Sequence, residues 1–166
     1  MKKLKNAILL SALMTVAACS NSGNPFGGNS NDTFFRNNIG DVSNPTSPAY
    51  FQEAIGDRVL FAIDQSGLGP EAMDLLNSQA TWLMTNGDYE IIVEGHADEQ
   101  GTRDYNVALG ARRANSVKEY LNSLGVAASR IQTVSYGKER PIEICSKESC
   151  YSANRRAVTV LNNLGS

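Results

Sequence analysis

The chain has 166 residues, a formal net charge of −2, 42% apolar residues and 19% charged ones. Such composition is ordinary for a globular protein, and mixed-sign charge without a basic stripe argues against nucleic-acid binding. Once a targeting segment and a linker are set aside, the length suits one domain of typical size. At the N-terminus Lys2, Lys3 and Lys5 form a positive region, and Asn6 to Ala18 is mostly apolar and ends in small residues. The apolar part is too short to cross roughly 30 Å of hydrocarbon as a stable helix. Residues 1–18 are therefore read as a secretory signal peptide.

The junction Val16-Ala17-Ala18-Cys19 is more specific than a generic small-residue cleavage site. It resembles the lipobox of bacterial lipoproteins, which implies that Cys19 is lipidated and becomes the mature N-terminus. Each buried CH₂ adds about 0.8 kcal/mol, and one acyl chain anchors only marginally. The several chains of such lipoproteins imply durable attachment. By the same resemblance, Ser20 after the cysteine favours the outer membrane, with the body of the chain in the periplasm. Residues 19–49 are rich in Asn, Ser, Gly and Pro, and Pro45 and Pro48 break any late helix, so this stretch reads as a tether. A coil of about 30 residues spans on the order of 30 Å root-mean-square. Phe26, Phe34 and Phe35 are scattered within it, either as plain tether or as a weak docking element.

The folded domain is placed at residues 50–166. Arg58 to Ile63 reads as a strand ending at Asp64. Pro70 suits a helix's first turn. Ala72, Leu75, Leu76, Gln79, Ala80 and Leu83 then recur at helical spacing, until Asn86-Gly87 stops the helix. Trp82 and Met84 fit core or edge packing. Tyr89 to Glu94 is a second strand, and a helix follows with Val107, Ala111, Ala114, Val117, Leu121 and Leu124 on one stripe, capped by Gly125. Arg130 to Tyr136 alternates like a third strand. Gly137 and Pro141 open a loop holding two cysteines, a short helix fits around Tyr151 to Asn154, and Ala157 to Leu161 is a last strand. An oxidising periplasm lets Cys145 and Cys150 pair across Ser-Lys-Glu-Ser. Metal ligation is the alternative, although the spacing is not C-x-x-C and no His lies nearby. The order predicts an α/β fold of two layers, a sheet with helices on one face.

The stretch from Glu94 to Asn115 carries the chemistry. An acidic loop follows a strand, and cationic side chains enter from the next helix, which suits a small ligand bearing both signs of charge. With the helix starting near Asp104, Arg113 lies about two and a half turns in and leans back toward the Asp98 loop. The competing reading is a plain surface pair between Asp98 and Arg113, worth about 0–1 kcal/mol. Glu94, His96 and Asp98 alternate as metal ligands might be spaced, but the chain has no second His. No G-x-S-x-G elbow or phosphate loop occurs.

Gly95-His-Ala-Asp98, Asn106, Leu109-Gly-Ala-Arg-Arg-Ala-Asn-Ser-Val117, Tyr120-Leu121, Gly125-Val126, Arg130-Ile131, Ser135-Tyr-Gly-Lys-Glu139, Pro141 and Asn154-Arg-Arg156 together resemble the OmpA-like peptidoglycan-binding domain family. The match covers roughly residues 55 to 162. It implies an α/β sandwich with a mixed sheet that binds the meso-diaminopimelate of peptidoglycan stems. Asp98 then meets the ligand's ammonium, and Arg113 grips its carboxylate as a planar fork. Ile63, Asp64 and Leu109 complete the pocket wall, Ile63 standing where the family often carries an aromatic. His96, Asn106, Arg112, Asn154, Arg155 and Arg156 take supporting roles. With the lipobox and tether, the chain resembles lipid-anchored members of this family. That resemblance implies contact with TolB and a place in the Tol–Pal system, which serves envelope integrity and cell division. The expected protein is not an enzyme and uses no cofactor or metal. The alternatives are an OmpA-like lipoprotein without a Tol partner and a peptidoglycan hydrolase, for which Asp64 and Asp98 are the only paired acid and base candidates near one site.

Overall fold

A computed structural model describes residues 40–163. The signal peptide, Cys19, Phe26, Phe34 and Phe35 lie outside the described residues. Ser47 caps a short helix, α1 (Pro48–Tyr50), by accepting the Tyr50 N–H, and α1 runs into a π-helical turn over Phe51–Gly56. Strand β1 (Arg58–Leu60), helix α2 (Pro70–Thr85) and strand β2 (Tyr89–His96) follow. Helix α3 (Arg103–Ser123), strand β3 (Ile131–Gly137), helix α4 (Glu148–Asn154) and strand β4 (Arg156–Asn163) complete the order.

The sheet order is β1-β4-β2-β3. β4 runs antiparallel to both β1 and β2, whereas β2 and β3 are parallel and joined by the α3 crossover. The sheet is therefore mixed, as expected, and the domain is a two-layer α/β fold. The core sits between sheet and helices. Val59, Ile91, Val93, Ile131 and Ala157 from the sheet meet Leu76, Leu83, Ala114, Val117 and Leu121 from α2 and α3. Phe51 and Trp82 close one end, with ring centroids 4.9 Å apart. Trp82 Nε1 donates to Pro45 O at 2.7 Å, so packing reaches N-terminal of Tyr50.

Three local differences from the sequence reading bear on the site. β1 stops at Leu60 rather than Ile63. Phe61 N–H still donates to Arg155 O at 2.8 Å, but Asp64 then adopts a left-handed φ of 59° and Gln65 N–H turns back onto Ala62 O. Asp tolerates this region better than most residues. Ile63 and Asp64 thus stand on a turn, not on a strand. β2 runs two residues past Glu94, with an irregularity between Gly95 and His96 that re-aims the chain. The α3 face is also rotated from the expected stripe. Asn106, Leu109, Gly110 and Arg113 are buried, while Val107 and Ala111 are only partly so.

The reason is a backbone contact. A Cβ on Gly95 would lie 1.8 Å from Gly110 O, and one on Gly110 would lie 2.4 Å from Ser135 Oγ. α3 therefore rides directly on β2, and its Asn106–Leu109–Arg113 side is drawn over the end of the sheet. Cys145 and Cys150 are disulfide-bonded, at the N-terminal side of α4.

Candidate functional site

The loop after β2 is pinned at both ends. Ala97 N–H donates to Gly137 O at 2.8 Å, and Thr102 caps α3 by accepting the Tyr105 N–H at 3.3 Å. Between them Asn106 Nδ2 donates to Gln100 O at 2.7 Å, and Lys138 Nζ to Gly101 O at 2.7 Å. Asn106 is thus a loop brace, and the loop carrying Asp98 is held by side chains from α3 and the end of β3.

This loop, the turn after β1 and one face of α3 enclose a cavity of about 280 Å³, lined by Ile63, Asp64, Asp98, Gln100, Gly101, Tyr105, Asn106, Leu109 and Arg113. All five residues expected to form the pocket are brought together in it. Ile63 is 60% exposed at the rim and Leu109 is buried. Tyr105 Oη donates to Asp64 Oδ1, which raises the tyrosine's pKa. Gln100, Gly101 and Tyr105 carry no individual signature in the sequence. The signal for Tyr105 is its spacing, since residues 105, 109 and 113 fall one turn apart on one helix face.

The two central charges do not pair with each other. Asp98 Oδ2 accepts from Arg155 Nη1 at 3.1 Å, and Asp98 Oδ1 from the Gln100 N–H at 3.2 Å. Arg113 is 0% exposed and donates to three carbonyls: Nε to Gln65 O at 2.8 Å, Nη1 to His96 O at 2.7 Å and Nη2 to Ala62 O at 3.2 Å. It also lies over the Phe61 ring, 5.1 Å from the centroid. Of five guanidinium N–H groups, three are therefore directed at the backbone. Burial lowers the Arg113 pKa to about 10, against the opposing pull of Asp98. The group remains a cation at neutral pH.

The supporting residues divide. Arg155 is buried and donates to Phe61 O, Asp98 and Glu148, which ties β4 to the cavity loop. Desolvation works against its charge, but Glu148 and Asp98 together hold its pKa above the ordinary value. Asn154 accepts from the Ile142 and Glu143 N–H groups and donates to Glu143 O, bracing the cysteine loop. Arg156 donates to Arg140 O and Asn154 O. Arg112 is exposed, 5.9 Å from the Tyr105 centroid.

His96 is buried beneath the site, with neither ring nitrogen hydrogen-bonded. Glu94 Oε2 lies 3.5 Å from Nε2, a distance that would favour an imidazolium. Desolvation outweighs it, and Arg156 and Arg140 add to the effect, so the pKa falls to about 4 and the ring is neutral. Among the described residues no group of three His, Cys, Asp or Glu is placed to hold a metal ion.

Residues 60–163 match the profile of the OmpA family. The peptidoglycan-associated lipoprotein of Mesorhizobium japonicum is 46% identical over 159 residues, covering 96% of this chain and 92% of that protein. The peptidoglycan-associated lipoprotein of Haemophilus influenzae is 36% identical over 158 residues, covering 95% and 97%. Among solved structures, the peptidoglycan-associated lipoprotein from Burkholderia pseudomallei superposes with a TM-score of 0.65 at 33% identity, over 73% of this chain and 98% of that one. The C-terminal domain of Helicobacter pylori MotB shares the fold, with a TM-score of 0.61 at 21% identity over 66% of this chain and 86% of that one. With a family match across most of the described domain and relatives this similar over nearly the full length, the chain belongs to the OmpA family.

Proposed function

We propose that this domain binds peptidoglycan non-covalently through the meso-diaminopimelate of the peptide stem, without catalysis. The observation that carries this reading is one small cavity lined by two carboxylates, Asp64 and Asp98, and by the guanidinium of Arg113. The free end of diaminopimelate is zwitterionic. Its ammonium suits the two carboxylates, and its carboxylate suits the N–H groups of Arg113 not already turned to the backbone. Leu109 and Ile63 offer apolar contact for the ligand's methylene chain. The names of the relatives support the same ligand class and a lipid anchor. Cys19, lipidated in the outer membrane, would tether the domain so that it couples that membrane to the wall within the Tol–Pal system, with TolB as partner, during envelope maintenance and cell division.

Cosedimentation with purified sacculi tests the reading. Asp64 is exposed, and Asn in its place still accepts the Tyr105 hydroxyl, so Asp64→Asn keeps the fold while removing one charge. A loss of a charge-assisted contact should weaken retention about tenfold. Walls with lysine in place of diaminopimelate lack the carboxylate and should be retained poorly. Equal retention of both wall types, or of both proteins, refutes the site. Release of soluble fragments would point to a hydrolase instead.

A further inference from the structure

The disulfide lies outside the cavity lining, yet a chain of contacts leads from it to Asp98. Cys150 is buried within α4, and Glu148 stands two residues before it in the first turn. The Glu148 carboxylate accepts a hydrogen bond from Arg155 Nη2. Arg155 donates from Nη1 to Asp98 Oδ2 at 3.1 Å and from Nε to Phe61 O at 3.2 Å. Its side chain is 5% exposed, while that of Glu148 is 62% exposed. Three parts of the chain thus hold one guanidinium: the cysteine helix, the end of β1 and the loop after β2.

The weak member is Glu148. An exposed carboxylate gains little from an ion pair unless its backbone is already held. α4 has seven residues and no side-chain cap at Lys147, so its own hydrogen bonds hold its first turn poorly. Asn154 braces its far end, and the Cys145–Cys150 bond staples its near end to the preceding loop. Charge matters as well. Asp98, Arg155 and Glu148 together carry one net negative charge facing an expected ammonium. Without Glu148 in place, Arg155 neutralises Asp98 alone.

We propose that the Cys145–Cys150 disulfide positions Asp98 through Glu148 and Arg155, so that the oxidised protein holds a cationic ligand group more tightly than the reduced one. Glu148 and Arg155 are positioning residues here. Reduction by a dithiol delivers two electrons and two protons to the Sγ–Sγ bond. Two thiols result, and the reductant closes to its own disulfide. The first turn of α4 then loosens, and Arg155 loses its second carboxylate. The ligand arm rests on the diaminopimelate reading; the contact chain does not.

The test uses the oxidised domain, the same domain after dithiol treatment, a Cys145→Ser/Cys150→Ser variant, Glu148→Gln, and the three substitutions combined. Two quantities are measured: affinity for a muropeptide ending in meso-diaminopimelate, and hydrogen exchange at the Gln100 amide, which donates to Asp98 Oδ1. Reduction and Glu148→Gln should each weaken affinity about three- to tenfold and speed Gln100 exchange, as expected for members of one contact network. Combined, they should do little more than either alone, because both break the same chain. Glu148→Asp should recover part of the affinity. Unchanged Gln100 exchange on reduction, or fully additive effects, overturns the proposal. If the oxidised protein binds no muropeptide, the ligand reading fails while the exchange measurement still decides the coupling.

Discussion

Replacing Arg113 by alanine should cost the fold before it costs any ligand contact. Arg113 is the largest wholly buried side chain among the described residues. It satisfies Gln65 O and Ala62 O on the turn after β1 and His96 O at the end of β2. Hydrogen bonds to a charged group contribute about 1.5–3 kcal/mol each. Because a cavity adjoins the site, water can reach some of the carbonyls after truncation, which places the total near the low end, at about 5 kcal/mol. That is a large share of a domain stability of about 5–15 kcal/mol. Urea denaturation followed by circular dichroism at pH 7 measures it. A loss below about 1 kcal/mol would falsify the assignment of Arg113 as the tie between the two loops. Weak sacculus binding by this variant would not by itself identify a ligand contact. Arg113→Lys, which keeps the charge but loses the fork, should sit between wild type and alanine in both stability and binding.

Other perturbations address separate parts of the structure. Gly95→Ala places a Cβ 1.8 Å from Gly110 O, so β2 and α3 must separate; a stability loss of at least about 3 kcal/mol is expected, and a melting temperature near wild type would contradict the close approach. His96 gives a pH signature, because it is neutral in the fold with a pKa of about 4, facing Glu94, Tyr136, Arg140 and Arg156. Its unfolded pKa is about 6.5, so the unfolded chain binds more protons between those values, and stability falls as pH drops through that window by up to about 3 kcal/mol. Comparing wild type with His96→Phe cancels the other titrating groups; a stability difference that stays flat from pH 7 to pH 4 would remove the assignment.

Local signals in the sequence had local causes. Pro70 at the start of α2, Asn86 at its end and the apolar spacing between them are properties of a single helix, and the helix forms over Pro70–Thr85. Gln79 sat on that stripe as though apolar. It is buried because Nε2 donates to Gly56 O and Oε1 accepts from Thr159 Oγ1, partners 23 and 80 residues away. Arg130 is similar: its guanidinium binds Leu83 O, Asn86 O and Tyr89 O, closing the α2–β2 turn from the far side of α3. Nothing near Arg130 in the chain announces that. The rotation of the α3 stripe was hidden too, since Gly95 and Gly110 matter only once they face each other.

The sequence alone determined the order of elements and an acidic loop followed by a cationic helix. The mixed sheet and the full set of residues sharing the charged cavity came as what the family resemblance implied. Periodicity, Pro and Gly placement, and a loop acid followed by a helix arginine all act within a few turns of chain. The tertiary structure decided which arginine meets which acid. Asp98 pairs with Arg155, 57 residues away, because β4 lies between β1 and β2 and sets the residue just ahead of it beside the loop. Arg113, freed from that pairing, turns to backbone carbonyls on the turn after β1 and at the end of β2. A buried guanidinium must find acceptors wherever the fold supplies them, and no spacing along the chain specifies where that will be.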